Sequence, residues 1–197
     1  MHTTLPQIPT RMEYGRITLR SYEESDASWY CAMSRRNRIH LARYEAENAV
    51  MAVETEQDAR DLLRELNTEW RAGNCFFMGA FDRQSGKFVA QVYVGLANRD
   101  LPEFEIGFFA DRDHEGQGYV SDAVRAVLPF LFESLGAHRV RMECDDTNER
   151  SRRVAERCGL VLEGHIRENR RNPDGTLSGT LHFGLLRNEF EPFRVDL

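Results

Sequence analysis

A glycine-rich loop between a strand-like and a helix-like segment is the most informative feature of this sequence. The loop is D-R-D-H-E-G-Q-G-Y, and its glycines are Gly116 and Gly118. They let the backbone turn sharply and bring its N–H groups close to a ligand, while the helix that follows adds unpaired amides and a positive dipole end. The loop therefore suits a phosphate or pyrophosphate, although a glycine pair taken alone is also typical of a plain turn.

Two common nucleotide-binding loops are excluded by the residues around these glycines. A Walker loop needs a Lys followed by Ser or Thr, and a dinucleotide fingerprint needs a third glycine. Neither feature is present here. The loop offers backbone amides rather than a phosphate-binding lysine.

The elements that would position this loop follow from the hydrophobic periodicity. A strand is predicted for Glu103–Ala110, and it leads directly into the loop. After Gly118, an apolar stripe at helical spacing predicts a helix that Pro129 kinks or ends. The stripe consists of Val120, Ala123, Val124, Val127, Leu128, Leu131 and Leu135. A strand over Arg139–Cys144 and a short helix over Glu149–Arg157 complete a strand–helix–strand crossover.

Further elements are predicted on both sides of this crossover. The first half is predicted to contain a short strand, two helices and a hairpin: Arg16–Arg20, a helix from Glu23 through about Ser34, Glu54–Ala72, and the strands Cys75–Phe81 and Phe88–Leu96. Two final strands flank Asn172-Pro173-Asp174-Gly175, which suits a type I turn. Hairpins around one crossover predict a mixed α/β layer rather than a doubly wound sheet.

Composition limits the class of protein. The 197 residues carry 26 basic and 32 acidic side chains, a net charge of −6, which argues against a dedicated nucleic-acid binder. The length predicts a single domain over residues 1–197. No apolar run reaches the roughly 20 residues of a membrane helix, and the segment Met1–Arg20 lacks the apolar block of a signal peptide. We therefore expect no direct nucleic-acid partner and no membrane partner.

The four cysteines stand far apart in the sequence. There is no C-x-x-C and no pair of histidines at the spacing of metal ligands. Free thiols in a reducing cytoplasm are the simplest interpretation, so we expect a cytoplasmic protein without a metal site.

The order of motifs from Phe104 to Gly159 resembles that of the GCN5-related N-acetyltransferase (GNAT) superfamily. The motifs are E-I-G-F, H-E-G-Q-G-Y-V-S-D-A-V, C-x-x-x-N-x-x-S-R-R-V-x-E-x-x-G-L and E-G-H-I-R-E. The sequence is most similar to the branch of ribosomal-protein alanine and serine N-acetyltransferases, over an ordered core of about residues 10–190. The resemblance implies the GNAT fold, a mixed and mostly antiparallel sheet flanked by helices, with two splayed parallel strands at its centre. It also implies an acyltransferase that uses acetyl-CoA.

The resemblance implies where acetyl-CoA binds. In this superfamily the cofactor lies in the gap between the splayed strands, which here are Glu103–Ala110 and Arg139–Cys144. Its pantetheine arm pairs with a free strand edge, and its pyrophosphate rests on loop amides. The implied cofactor-binding residues are Phe108, Phe109, Ala110, His114, Glu115, Gly116, Gln117, Gly118, Tyr119, Asn148, Ser151 and Arg153. The family loop usually opens on Arg or Gln, so Asp113 in that place weakens any side-chain contact there but leaves the backbone cradle.

A basic stretch near this gap is hidden by the acidic total. Residues Arg150 to Arg171 include seven arginines and only three glutamates. Arg152 and Arg153 are therefore candidates to face the phosphates of CoA.

Acetyl transfer needs a neutral amine, a polarised thioester carbonyl and a proton for the leaving thiolate. Many superfamily members donate that proton from a Tyr, but the corresponding residue here is Ala155. In the serine-acetylating branch a Cys seven residues before the Ser has the acid/base role, and Cys144 precedes Ser151 by that spacing. Glu105 is the better candidate for a base that acts through a water. A small apolar strand residue at Cys144 and a surface carboxylate at Glu105 are the plain structural alternatives.

The acceptor amine is left open between a protein N-terminus and a small molecule. The segment Arg35–Tyr44 lies where the superfamily shapes its acceptor pocket, and its four arginines favour an acceptor with an acidic or phosphate-bearing part over a polyamine. A non-catalytic acyl-CoA-binding or sensor module is the alternative function, to which the missing Tyr gives weight. Relatives often pair edge strands, so the resemblance also raises a homodimer.

Overall fold

The computed structural model describes residues 9–172 and 174–193, and these residues form one eight-stranded sheet with four α-helices. The strands are β1 (Arg11–Tyr14), β2 (Ile17–Ser21), β3 (Cys75–Asp82), β4 (Phe88–Asn98), β5 (Glu103–Ala110), β6 (Arg139–Asp145), β7 (Val161–Arg171) and β8 (Leu177–Leu186). The helices are α1 (Ala27–Leu41), α2 (Glu56–Ala72), α3 (Tyr119–Pro129) and α4 (Glu149–Arg157).

The sheet is mixed and mostly antiparallel, as predicted. Its strand order is β1-β2-β3-β4-β5-β6-β8-β7, and β5 with β6 is the parallel pair. The parallel pair is joined by the crossover helix α3, because parallel neighbours cannot be connected by a tight turn.

The two parallel strands stay together for only a short distance. Their register runs from Glu103 opposite Arg139 to Glu105 opposite Arg141. Beyond that point β5 continues beside β4 as far as Ala110, and β6 continues beside β8. The strands therefore splay apart, which confirms the predicted gap and leaves the inner edge of β5 without a strand partner among the described residues.

Alternate side chains of the strands build one core on each face of the sheet. Ile106 and Met142 pack with Val127 of α3 in the larger core. Phe109 points to the opposite face, where it packs in a second core that includes residues of α1 and α2. The helices that approach the gap are thus fixed to the sheet from both sides.

The first helix is longer than predicted. It was expected to end near Ser34 but continues to Leu41, since no Gly or Pro interrupts the segment. Asn37 stays in the helix because its buried amide donates to the carbonyl of Met33 at 3.0 Å. The residues expected to shape an acceptor pocket therefore begin on a helix rather than in a loop.

Two other predicted boundaries concern the first strand and the helix that contains Pro129. The predicted first strand is β2, and a short strand β1 precedes it across Gly15. Pro129 ends α3, as predicted, and a π-helical turn over Phe130–Ser134 follows because proline has no N–H for the regular helical bond.

The turn predicted at Asn172-Pro173-Asp174-Gly175 includes Pro173, which lies outside the described residues. All four cysteines are free. Across residues 9–172 and 174–193, no helix combines the length and the apolar character needed to cross a membrane.

Candidate active site

A cavity of about 380 Å³ opens where β5 and β6 splay apart. Its walls come from the end of β5, the glycine-rich loop with the first turn of α3, the end of α1 and one side of α4. This position matches the gap in which a cofactor was expected. The cavity is therefore the candidate active site.

The cavity collects nearly all the cofactor-binding residues predicted from the sequence. The lining includes Phe108, Phe109, Ala110, His114, Glu115, Gly116, Gly118, Tyr119, Asn148, Ser151 and Arg153. Gln117 is the exception, because its side chain donates to the Asp113 carbonyl at 3.2 Å. The predicted residues come from three separate elements, so their convergence is a property of the fold.

The glycine-rich loop has the conformation that its glycines permit. Gly116 and Gly118 have φ angles of 71° and 83°, and Gly118 caps the N-terminus of α3. A side chain rarely adopts positive φ, so these two turns depend on glycine. Residues of the loop and of the first turn of α3 line the cavity, where unpaired backbone amides could bind an anion.

Arg16, in the turn between β1 and β2, holds the loop in place. Its guanidinium donates to the Gln117 carbonyl at 2.5 Å and to Asp122 of α3 at 2.8 Å, and it lies 4.0 Å from the centre of the Tyr119 ring. Sequence reasoning missed this residue, because nothing local links Arg16 to a loop about a hundred positions later.

A buried carboxylate joins the loop to α1. Asp111 has a side chain only 1% exposed, and it accepts hydrogen bonds from Arg36 at 2.5 Å, Asn37 at 2.9 Å and His114 at 2.9 Å. Asn37 also accepts from the Arg112 amide at 2.8 Å. Burial alone would raise the pKa of Asp111, but these three hydrogen bonds lower it below its usual range. Asp111 is thus a charged clamp between the loop and the helix.

Three arginines of α4 form what we call the arginine face of the cavity. Arg150, Arg153 and Arg157 line it together, because residues three, four and seven apart share one side of a helix. Arg152, predicted to face phosphate groups, instead pairs with Glu156 at 2.9 Å and is not part of the lining. The basic stretch seen in the sequence therefore contributes to the cavity through three arginines, of which only Arg153 was singled out.

The predicted catalytic residues are divided between the two faces of the sheet. Ser151 lines the cavity in the first turn of α4, where its amide donates to the Asn148 side chain at 3.1 Å. Cys144 lies in the larger core, and burial raises its pKa to about 11. Glu105 lies on the opposite face and accepts from Arg141 at 2.6 Å. Neither Cys144 nor Glu105 is among the lining residues.

The end of α1 forms the opposite wall, which we call the α1 wall and define as His40, Leu41, Arg43, Tyr44 and Glu45. Two of the four arginines predicted for an acceptor pocket are engaged elsewhere. Arg36 binds Asp111, and Arg38 pairs with Glu54 at 3.4 Å. The charge available to a ligand on this wall is therefore smaller than the sequence suggested.

Comparison with known proteins shows which family model and which curated proteins the chain is similar to. The family model described as "Acetyltransferase (GNAT) domain" matches residues 16–161. A putative ribosomal N-acetyltransferase of Bacillus subtilis, YdaF, is 27% identical over 180 residues, which cover 89% of this chain and 93% of that protein. The ribosomal-protein-serine acetyltransferase of Escherichia coli is 36% identical over 64 residues, covering 32% of this chain and 36% of that protein.

Solved structures share the fold at low sequence identity. The ribosomal-protein-S5-alanine acetyltransferase of Vibrio fischeri has a TM-score of 0.80 at 21% identity, covering 93% of this chain and 100% of that one. RimJ of Mycobacterium smegmatis, solved in complex with CoA-disulfide, has a TM-score of 0.82 at 21% identity, covering 94% and 91%.

Proposed function

Because the chain belongs to the GNAT acetyltransferase family and is an acyltransferase, we propose that it transfers the acetyl group of acetyl-CoA to a primary amine. The transfer proceeds by direct attack of the amine in a ternary complex, within a single domain. One observation carries the proposal: a cavity at the strand gap unites the glycine-rich loop, Asn148, Ser151 and the arginine face.

The cavity offers a distinct contact for each part of acetyl-CoA. The inner edge of Phe108–Ala110 can pair with the amides of the pantetheine arm, because β4 occupies only the outer edge. Asn148 stands beside that path. The amides around Gly116 and Gly118 suit the pyrophosphate, and Arg153 with its two neighbours on the arginine face suits the remaining phosphate charge.

The chemistry needs few groups once both substrates are bound. The amine attacks the thioester carbon, a backbone N–H near Phe108 or Phe109 polarises the carbonyl, and the C–S bond breaks. Cys144, the donor predicted from the sequence, has its pKa raised to about 11 by burial and does not line the cavity, so the thiolate takes its proton from the attacking nitrogen. Ser151 is the candidate neighbour of the thioester, and Glu105 remains the base predicted from the sequence.

We expect Arg153→Ala to weaken acetyl-CoA binding about tenfold, the effect of losing one charge-assisted contact. Isothermal titration calorimetry measures the dissociation constant. Arg152→Ala is the matched control, since Arg152 is the preceding residue and pairs with Glu156 outside the cavity; its affinity should stay within twofold of wild type. Equal losses in both variants would count against the proposed phosphate contact.

The test of the proposed function is an acceptor screen that detects released thiol. It includes peptides with N-terminal Ser, Ala or Thr, polyamines and amino sugars. Thiol release with at least one amine supports the proposal. Binding of acetyl-CoA without release across the panel would favour the non-catalytic acyl-CoA-binding module, to which Ala155 in place of the usual Tyr gives weight.

We expect an acidic acceptor peptide to be preferred over a basic one. Arg43 lines the cavity, and the charge of Arg170 acts on Glu45 of the same wall. A charge pair near the surface is worth about 1 kcal/mol, which is about fivefold in kcat/KM. We predict that Arg43→Glu lowers the preference about fivefold or more, whereas Arg35→Glu, an equal charge change at an exposed position of α1 outside the lining, does not. Spermidine as the best acceptor would contradict this prediction.

A further inference from the structure

Glu45 is a carboxylate that lines the cavity, and the reaction proposed above gives it no role. It follows Tyr44, whose hydroxyl lies 3.3 Å from the Thr147 carbonyl oxygen and 3.2 Å from the Thr147 hydroxyl. Thr147 directly precedes Asn148, so this contact brings the α1 wall to the N-terminus of α4. Glu45, the next residue after Tyr44, lines the same cavity as Asn148 and Ser151.

Among the residues that the structure describes, the Glu45 carboxylate forms no ion pair. Its contact is a hydrogen bond of 3.0 Å from the Asn48 amide, and among the described residues no Lys, Arg or His nitrogen lies within 4.0 Å of it. Burial raises the pKa of Glu45, which the bond from Asn48 and the charge of Arg170 only partly offset. A carboxylate in this state is more basic than one held by a guanidinium.

The other candidate carboxylates are engaged. Glu115 also lines the cavity, but it pairs with Arg150 and lies 3.5 Å from His40. Glu105 pairs with Arg141 and does not line the cavity. An ion pair stabilises the charged form of a carboxylate and so lowers its readiness to accept a proton.

We propose that Glu45 receives the ammonium group of the acceptor and takes its proton before attack. This inference rests on the proposed acetyl transfer. One proton passes from the ammonium to Glu45, and the free lone pair then forms the C–N bond as the C–S bond breaks. The second proton of the attacking nitrogen passes to the thiolate, giving the amide and free CoA, and Glu45 returns its proton to water.

The charges around Glu45 determine how its titration appears in kinetics. The other charged or titratable groups that line the same cavity are His40, Arg43 and Tyr44 of the α1 wall, His114 and Glu115 of the loop, Tyr119 of α3, and Arg150, Arg153 and Arg157 of α4. Arg170 of β7 is outside the lining and acts on Glu45 through its charge. Because Glu115 is compensated by Arg150, Glu45 is the carboxylate whose protonation should govern the rate on the acidic side.

The experiment compares Glu45→Gln with wild type over pH 5–10, roughly the range in which a carboxylate and an amine both titrate. We expect kcat/KM for the acceptor to fall at least about 100-fold at neutral pH, the lower range for a lost general base. Wild-type kcat should level off above the pKa of Glu45. In the variant, log kcat should keep rising with unit slope until the pKa of the amine itself is reached.

Two further variants complete the design. Glu47→Gln is the matched control, since Glu47 is exposed on the same segment and outside the lining; its pH profile should equal that of wild type. Glu105→Gln tests the rival base: if that variant loses the wild-type plateau of kcat while Glu45→Gln keeps it, the proposal is overturned. Calorimetry with acetyl-CoA confirms that each variant is folded.

The remaining outcomes are also decisive. If Glu45→Gln loses acetyl-CoA binding, Glu45→Asp, which keeps the carboxylate, should retain both binding and the plateau of kcat above the pKa of that carboxylate; absence of the plateau overturns the proposal. If wild type turns over and Glu45→Gln stays within threefold of it, only the Glu45 assignment fails. If wild type binds acetyl-CoA but acetylates no amine, the proposed function fails and Glu45 has no proton to take.

Discussion

Replacing Asp111 with alanine is expected to lower the free energy of unfolding by about 3 kcal/mol, the cost of removing one partner of a buried ion pair. The substitution leaves three donors without their acceptor: the Arg36 guanidinium, the Asn37 amide and the His114 ring. Asn37 and His114 are held within the fold, so their groups cannot simply turn to solvent. Urea denaturation of wild type and variant measures the difference.

The control is the ion pair between Arg38 of α1 and the exposed Glu54. Glu54 has a side chain 73% exposed and pairs with Arg38 at 3.4 Å, so Glu54→Ala should change the free energy of unfolding by less than about 0.5 kcal/mol. A loss at Asp111 no larger than this would show that the clamp adds nothing to stability.

The pH dependence of the Asp111 clamp has a defined sign. The pKa of Asp111 in the folded protein lies below its ordinary value of 3.8, so the charged form favours folding. Its contribution is fully present above the ordinary value and is lost as the pH falls through the lower, folded value. The stability difference between wild type and Asp111→Asn should therefore be constant near neutral pH and shrink in acid.

The core of the candidate site could be predicted because its signals are local. The β5 strand, the Gly116–Gly118 turn and the start of α3 are consecutive, and so are β6 and α4. Glycine at positive φ and apolar periodicity each follow from neighbouring residues. The gap itself followed from the resemblance and not from periodicity, since nothing in the sequence of β5 or β6 marks where their pairing stops.

The supporting contacts could not be predicted because they join distant segments. Arg16 reaches the loop from the turn between β1 and β2, and the Asp111 clamp joins positions more than seventy residues apart. The end of α1 was misjudged as well, because Arg35–Leu41 has polar residues where an amphipathic stripe would have been recognised. Once α1 extends to Leu41, the residues after it, Glu45 among them, form a wall of the cavity.

Replacing Gly116 with valine is expected to weaken acetyl-CoA binding at least 100-fold, or roughly 2.7 kcal/mol. Gly116 has a φ of 71°, and a side-chain carbon added there would meet no protein atom within 4 Å. Gly116 lines the cavity, so the added group would stand beside the loop amides that are proposed to bind the pyrophosphate. A β-branched residue also resists positive φ, so the loop would rotate those amides away.

Gly86 separates the effect on the ligand from the effect on the backbone. It has a nearly equal φ of 69° and also meets no atom within 4 Å, but it lies in the β3–β4 turn outside the cavity. Gly86→Val should therefore lose a similar amount of stability by denaturation while binding acetyl-CoA with an affinity within twofold of wild type. A Gly116→Val protein that binds acetyl-CoA as tightly as Gly86→Val would show that the loop does not hold the pyrophosphate, because the two variants share the same strain and differ only in what faces the added side chain.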